Sequence, residues 1–124
     1  MAKYSTENIH TVALVGHGGA GKTLLTEALL WKAGAIGAMG STERGTTVCD
    51  FEEVEHRQRR SLALALAPLM HDGVKVNLLD APGYVDFVGE VRAGLRAADC
   101  ALFIVAANEQ IDDATRALWR ECAD

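Results

Sequence analysis

Cysteine is scarce in this chain and follows no pattern: Cys49, Cys100 and Cys122 form an odd set with no CxxC spacing. That argues against a disulfide framework, and a reducing, cytoplasmic setting fits the usage. Two of the three have apolar neighbours, where cysteine is expected to act as a small hydrophobe. Long apolar runs are missing too. The longest, CALFIVAA and the Pro68-containing LALALAPLM, fall well short of the roughly 18 residues that mark a spanning helix. The opening MAKYSTENIH is polar and lacks the apolar core of a signal peptide. The expectation is a chain that neither spans a membrane nor is targeted to one. An excess of basic residues is also absent, since 17 acidic residues stand against 12 basic ones for a net charge of -5. Direct nucleic-acid binding by this segment is therefore disfavoured. No internal repeat or low-complexity block is visible. What remains is ordinary globular composition: 124 residues, 49% hydrophobic and 23% charged. One domain is the ceiling, and a chain of this size hides roughly 65% of its unfolded surface, enough for a core without disulfides or a structural metal.

The apolar run HTVALV, from His10 to Val15, ends abruptly at a glycine cluster. After it, TLLTEALLWKAG carries apolar residues at helical spacing and stops at Gly34. This reads as strand, glycine loop, helix. The glycine-rich stretch from Ala35 to Thr47 and the charged DFEEVEHRQRR that follows form a long connection. From Ser61 to Leu69 leucine and alanine alternate with period two, HDG supplies a turn, and VKVNLLD returns as the antiparallel arm of a hairpin. Phe87, Val91, Leu95 and Ala98 mark a helix, CALFIVAA a strand of the buried type, and a last helix starts near Asp112. The order predicts an α/β fold, a mostly parallel sheet with helices on both faces, whose first strand-to-helix turn holds the ligand.

That turn is GHGGAGKT, residues 16–23, which matches GxxxxGK[ST] between a predicted strand and a predicted helix. Gly16, Gly18, Gly19 and Gly21 let the backbone, including His17 and Ala20, curl its N–H groups toward phosphate oxygens, and the helix adds its positive dipole end. Lys22 would reach the β and γ phosphates, and Thr23 would give its hydroxyl to Mg²⁺. A plain flexible turn is the alternative, but independent placement of these residue types yields the pattern in only roughly 0.3% of such chains. Further along, VNLLDAPG puts Asp80 at the carboxyl end of a strand, placed to hold Mg²⁺ through water, and Gly83 offers an N–H to a γ phosphate. Alone, DxxG is more often a simple turn. Together with the upstream glycine loop, it suggests a segment that changes order with the third phosphate.

GHGGAGKT followed by DAPGYVDFVGEVRAGLRAADCALFIVAA resembles the GTP-binding domain of elongation factor G, a translational GTPase. The likeness runs from about Asn8 to the last residue, and LALALAP with the tyrosine of APGYVDF resembles the elongation factor G-like branch of bacteria. The resemblance implies a P-loop NTPase of Ras-like GTPase fold, with guanine nucleotide and Mg²⁺ as ligands. It carries phosphate-loop roles onto Gly16, His17, Gly18, Gly19, Ala20, Gly21, Lys22 and Thr23, and switch II roles onto Asp80, Ala81, Pro82, Gly83 and Tyr84. Switch I would span about residues 36–61, and switch II residues 80–90.

Three departures qualify the implication. Elongation factors carry a histidine after the switch II glycine that positions the attacking water; here it is Tyr84, a phenol with a pKa near 10, poor at proton handling but able to orient a water. Slow hydrolysis is the expectation, with Lys22, Gly83 and Tyr84 as candidate catalytic groups. An ungapped reading puts Ser61 where the family's switch I threonine meets Mg²⁺, although QRRS around it is unlike the family pattern, and a plain strand residue is the alternative. Finally, the Asn-Lys-x-Asp motif that selects guanine does not occur before Asp124, so the motifs themselves leave adenine open. The chain reads as the front of a longer protein, with ribosome binding expected only of the whole, and CALFIVAA would be an open apolar edge. A nucleotide-gated binding module without effective hydrolysis is the competing reading. His17 has no partner at zinc spacing. Trp31 and Trp119 are read as packing residues, Glu90, Arg92 and Arg96 as a solvated helix face, and Asp86 as a helix cap rather than a base.

Overall fold

The computed structural model describes residues 4–38, 65–81 and 88–123. A 3₁₀ turn, Thr6–Asn8, leads into β1, Ile9–Gly16, which passes through the glycine loop into α1, Lys22–Lys32. A hairpin of β2, Ala65–His71, and β3, Val74–Asp80, follows; then α2, Val88–Ala97, β4, Cys100–Ile104, and α3, Asp113–Ala123. The strands form one sheet in the order β2-β3-β1-β4. Pairing of β1 with β3 and with β4 is parallel, and that of β2 with β3 is antiparallel. The architecture is the mixed α/β arrangement anticipated, with the hairpin providing the antiparallel step.

The hairpin turns on Asp72 and Gly73, both at positive φ (48° and 78°). A two-residue turn of that hand matches the twist of paired strands, and Asp-Gly is among the sequences that tolerate it. Period-two alternation then sorts the sheet's side chains between two cores. On one face Ala65, Ala67, Leu69 and Leu78 pack with Leu30 of α1. On the other, Ala13, Val15, Leu79 and Ala81 pack with Val91 of α2, joined by Leu95, Ala98, Phe103 and Leu118. Consecutive residues Leu78 and Leu79 thus serve opposite layers, as a pleated strand requires. The alternation of leucine and alanine in β2 resolves with Ala65 and Ala67 pointing inward and Leu66 60% exposed.

Two expectations are corrected. β4 is not a buried strand; no residue in it is fully buried, and Leu102 is 44% exposed. Among the described residues β4 is instead the outermost strand, paired only with β1, the open edge also expected of CALFIVAA, so one flank has no neighbour to cover it. Cys100 and Cys122 are exposed thiols rather than small core hydrophobes, because one opens that outer strand and the other lies in the last turn of α3. Trp31 and Trp119, both read as packing residues, are both largely exposed, at 53% and 61%; Trp119 nonetheless meets Phe103 edge-on, with ring centroids 5.1 Å apart. Cys49, Asp86 and Phe87 lie outside the described residues.

Candidate functional site

Parallel pairing sets the ends of β1 and β3 side by side, with Leu14 opposite Asp80. The glycine loop leaves β1 at this level, at the carboxyl edge where open α/β sheets take their ligands. Gly16 is required by contact rather than by curvature. A Cβ there would lie 2.3 Å from the Ile104 carbonyl oxygen of β4. The curl itself occurs at Gly19 and Gly21, with φ of 82° and 99°, and Ala20 N–H donates to the His17 carbonyl at 3.1 Å. Gly21 is also the N-cap of α1, in the left-handed conformation. No side chain caps this helix, and its first turn contains no acid. The positive end of the helix dipole therefore faces the loop without an internal carboxylate, the arrangement that receives phosphate.

Lys22 is buried and folds back over the loop, its Nζ donating to the carbonyls of Gly16 and His17 at 3.0 Å each. Burial pushes its ammonium below the ordinary lysine pKa, and the charge of Asp80 opposes that shift. One turn later, Thr26 Oγ1 donates to the Lys22 carbonyl, at 3.1 Å. Thr23 Oγ1 donates to Asp80 Oδ2 at 2.6 Å, across 57 positions of sequence. Asp80 is wholly buried at the tip of β3, and Ala81 beside it donates its N–H to the Leu14 carbonyl at 3.3 Å. The structure thus brings together a buried cation, a hydroxyl and a carboxylate at the helix end. Hard oxygen donors of this kind suit Mg²⁺, which keeps several waters and takes one or two protein ligands.

Of the sequence-predicted site residues, Gly16 through Thr23 form one continuous turn with Asp80 and Ala81 alongside. Ser61, Pro82, Gly83 and Tyr84 lie outside the described residues, as does nearly all of the segment assigned to switch I. Among the described residues no cluster of three His, Cys, Asp or Glu is disposed to hold a metal. The His17 imidazole faces Glu109 and Asp112, beyond β4. Arg92, read as solvated, forms a two-pronged pair with Glu121 of α3 at 3.0 and 2.6 Å. Neither contact has a local signal, since each joins residues far apart in the chain.

Comparison with known proteins agrees with this geometry. Residues 7–124 match the elongation factor Tu GTP binding domain family. Over 115 residues, 93% of this chain, it is 61% identical to the elongation factor G-like protein of Mycobacterium tuberculosis, covering 16% of that protein. It is 38% identical to the tetracycline resistance protein TetO of Campylobacter jejuni over 90% of this chain and 17% of the other. A crystal structure of a Thermus thermophilus protein superposes with a TM-score of 0.88 at 49% identity, over 93% of this chain and 17% of that one. The chain spans about a sixth of the length of the curated relatives it matches.

Proposed function

Because the chain belongs to the elongation factor Tu GTP-binding domain family, we propose that it binds GTP with Mg²⁺ and hydrolyses it slowly, as part of an elongation factor G-like protein acting in translation on the ribosome. The observation that carries the reading is the meeting of Thr23 with Asp80 at 2.6 Å beside the buried Lys22. A glycine turn serving only to reverse the chain has no use for that trio.

Each group has a distinct task. The backbone N–H groups of the loop and the end of α1 receive the phosphate oxygens. Lys22 exchanges its two carbonyl partners for the β and γ phosphates, and the negative charge gained there offsets the desolvation that now disfavours its ammonium. The Thr23 hydroxyl and, through water, Asp80 would hold Mg²⁺, which would supply positive charge against the phosphates. In the proposed assignment Gly83 donates its N–H to the γ phosphate and Tyr84 orients the attacking water. Ser61 offers a further hydroxyl toward the metal. With a phenol where imidazole is usual, turnover on the order of 10⁻⁴ to 10⁻² s⁻¹ is expected without an activator.

The test is binding of fluorescent GTP, GDP and ATP with and without Mg²⁺, in the parent and in Lys22→Ala. Guanine nucleotide is expected to bind, and Lys22→Ala to weaken it by at least tenfold; equal affinity in the two would remove the phosphate-loop reading. Tyr84 itself favours one competing reading, a nucleotide-gated binding module that does not turn over. Tyr84→His decides between a dormant but complete site and an incomplete one. A large rise in hydrolysis shows that the rest of the machinery is present, and an unchanged rate favours the module.

A further inference from the structure

The phosphate loop is anchored at its start by β4. Gly16 lies against the Ile104 carbonyl and stands opposite Ile104 in the strand register. Beyond Ile104 the chain does not leave the site. It returns to it at His17, whose Nδ1 is 3.8 Å from Glu109 Oε2 and whose Nε2 is 3.7 Å from Asp112 Oδ2. The same ring nitrogen Nδ1 is 2.9 Å from the Gly18 carbonyl oxygen, so the imidazole is tied both to its own turn and to the loop opposite.

Both carboxylates are carried on braced backbone. Glu109 N–H donates to the Ala106 carbonyl at 3.1 Å, closing a turn. Asp112 caps α3, its Oδ1 accepting the Thr115 N–H at 2.7 Å while its carbonyl accepts the Arg116 N–H at 3.1 Å. One oxygen of Asp112 therefore starts a helix and the other faces the phosphate loop. We propose that the β4–α3 loop is a positioning element for nucleotide binding, its Glu109 and Asp112 carboxylates holding His17 so that the turn from His17 to Gly21 keeps its phosphate-receiving form. This rests on the nucleotide-binding reading above. The role is mechanical, since neither carboxylate would itself touch phosphate.

The three partners are partly exposed, with side chains 57% accessible for His17, 48% for Glu109 and 36% for Asp112, so solvent screens the attraction and the effect is modest. The charged groups facing the imidazole among the described residues are these two carboxylates; Lys22 meets His17 only at its carbonyl.

The experiment uses the nucleotide-free chain first. Glu109→Gln and Asp112→Asn keep shape, and asparagine keeps the helix cap. Hydrogen exchange at the Ala20 amide, whose bond to His17 closes the turn, is expected to quicken about two- to fivefold in the double variant. In a His17→Ala background the two carboxylate changes should add nothing, whereas His17→Arg, which keeps a cation, should retain protection. Release of a fluorescent GDP should quicken by a similar factor. Unchanged exchange in the carboxylate variants, or an equal change when His17 is already alanine, overturns the clamp. Faster exchange with unaltered GDP release overturns its part in nucleotide binding. Failure of the parent to bind GDP would strike the nucleotide reading alone, because Ala20 exchange still decides the clamp.

Discussion

Replacing Gly16 by alanine tests the idea that β4 and the phosphate loop are locked together at one atom-sized gap. The added Cβ would sit 2.3 Å from the Ile104 carbonyl oxygen and 3.3 Å from its carbonyl carbon. Real Cβ contacts essentially never fall below 3.0 Å, so the two strands must part by about 0.7 Å or more. The obstacle is backbone, and no rotamer change relieves it. Overpacking of this kind costs about 1–3 kcal/mol. With a urea dependence of about 1–3 kcal/mol per molar for a small domain, the unfolding midpoint should fall by roughly 1 M. Gly34→Ala is the control. It places its Cβ in open space but at φ 74°, so it reports the cost of the left-handed backbone, about 1 kcal/mol, without a clash. Gly16→Ala should also speed nucleotide release, because the parting strands carry the start of the phosphate loop, whereas Gly34→Ala should leave release as it is. A midpoint within about 0.2 M of the parent would refute the contact argument, since the oxygen would then have room the geometry denies it.

Two further substitutions probe the core and the helix start. Leu30 is 2% exposed and lies in the core beneath β2 and β3, so Leu30→Ala should lower stability by about 2–5 kcal/mol in urea unfolding; a loss below about 1 kcal/mol would mean the site collapses around the smaller side chain. The Asp112 carboxyl is held below its ordinary pKa chiefly by hydrogen bonding to Thr115. A carboxyl whose folded pKa is lowered adds stability above its unfolded value and loses it as pH falls through the folded one. Asp112→Ala should therefore cost about 1 kcal/mol at pH 7, and the gap to the parent should narrow below roughly pH 4. A gap of equal size at pH 7 and pH 3 would assign the loss to something other than the charged cap.

Much of the fold is legible because its signals are short-range. Asp72-Gly73 announces the hairpin, the helical spacing of Val91, Leu95 and Ala98 announces α2, and the glycine loop with Lys22 and Thr23 lies within eight consecutive residues. The boundaries are close to those predicted: α1 ends at Lys32 just ahead of Gly34, and α3 starts at Asp113 against an expected Asp112. The misread residues share one cause. Cys100 and the rest of β4 look buried by composition, but burial depends on how many strands flank a strand, and periodicity carries no such information.

By itself, then, the sequence determined the elements, the turn chemistry and the place of the glycine loop between β1 and α1, since each rests on interactions among residues a few positions apart. Tertiary structure alone decided the strand order β2-β3-β1-β4, the meeting of Thr23 with Asp80 across 57 positions, the approach of Gly16 to Ile104 and the seat of His17 between Glu109 and Asp112. These depend on the register of parallel strands, which the packing of two opposite cores selects, and no local pattern encodes that choice.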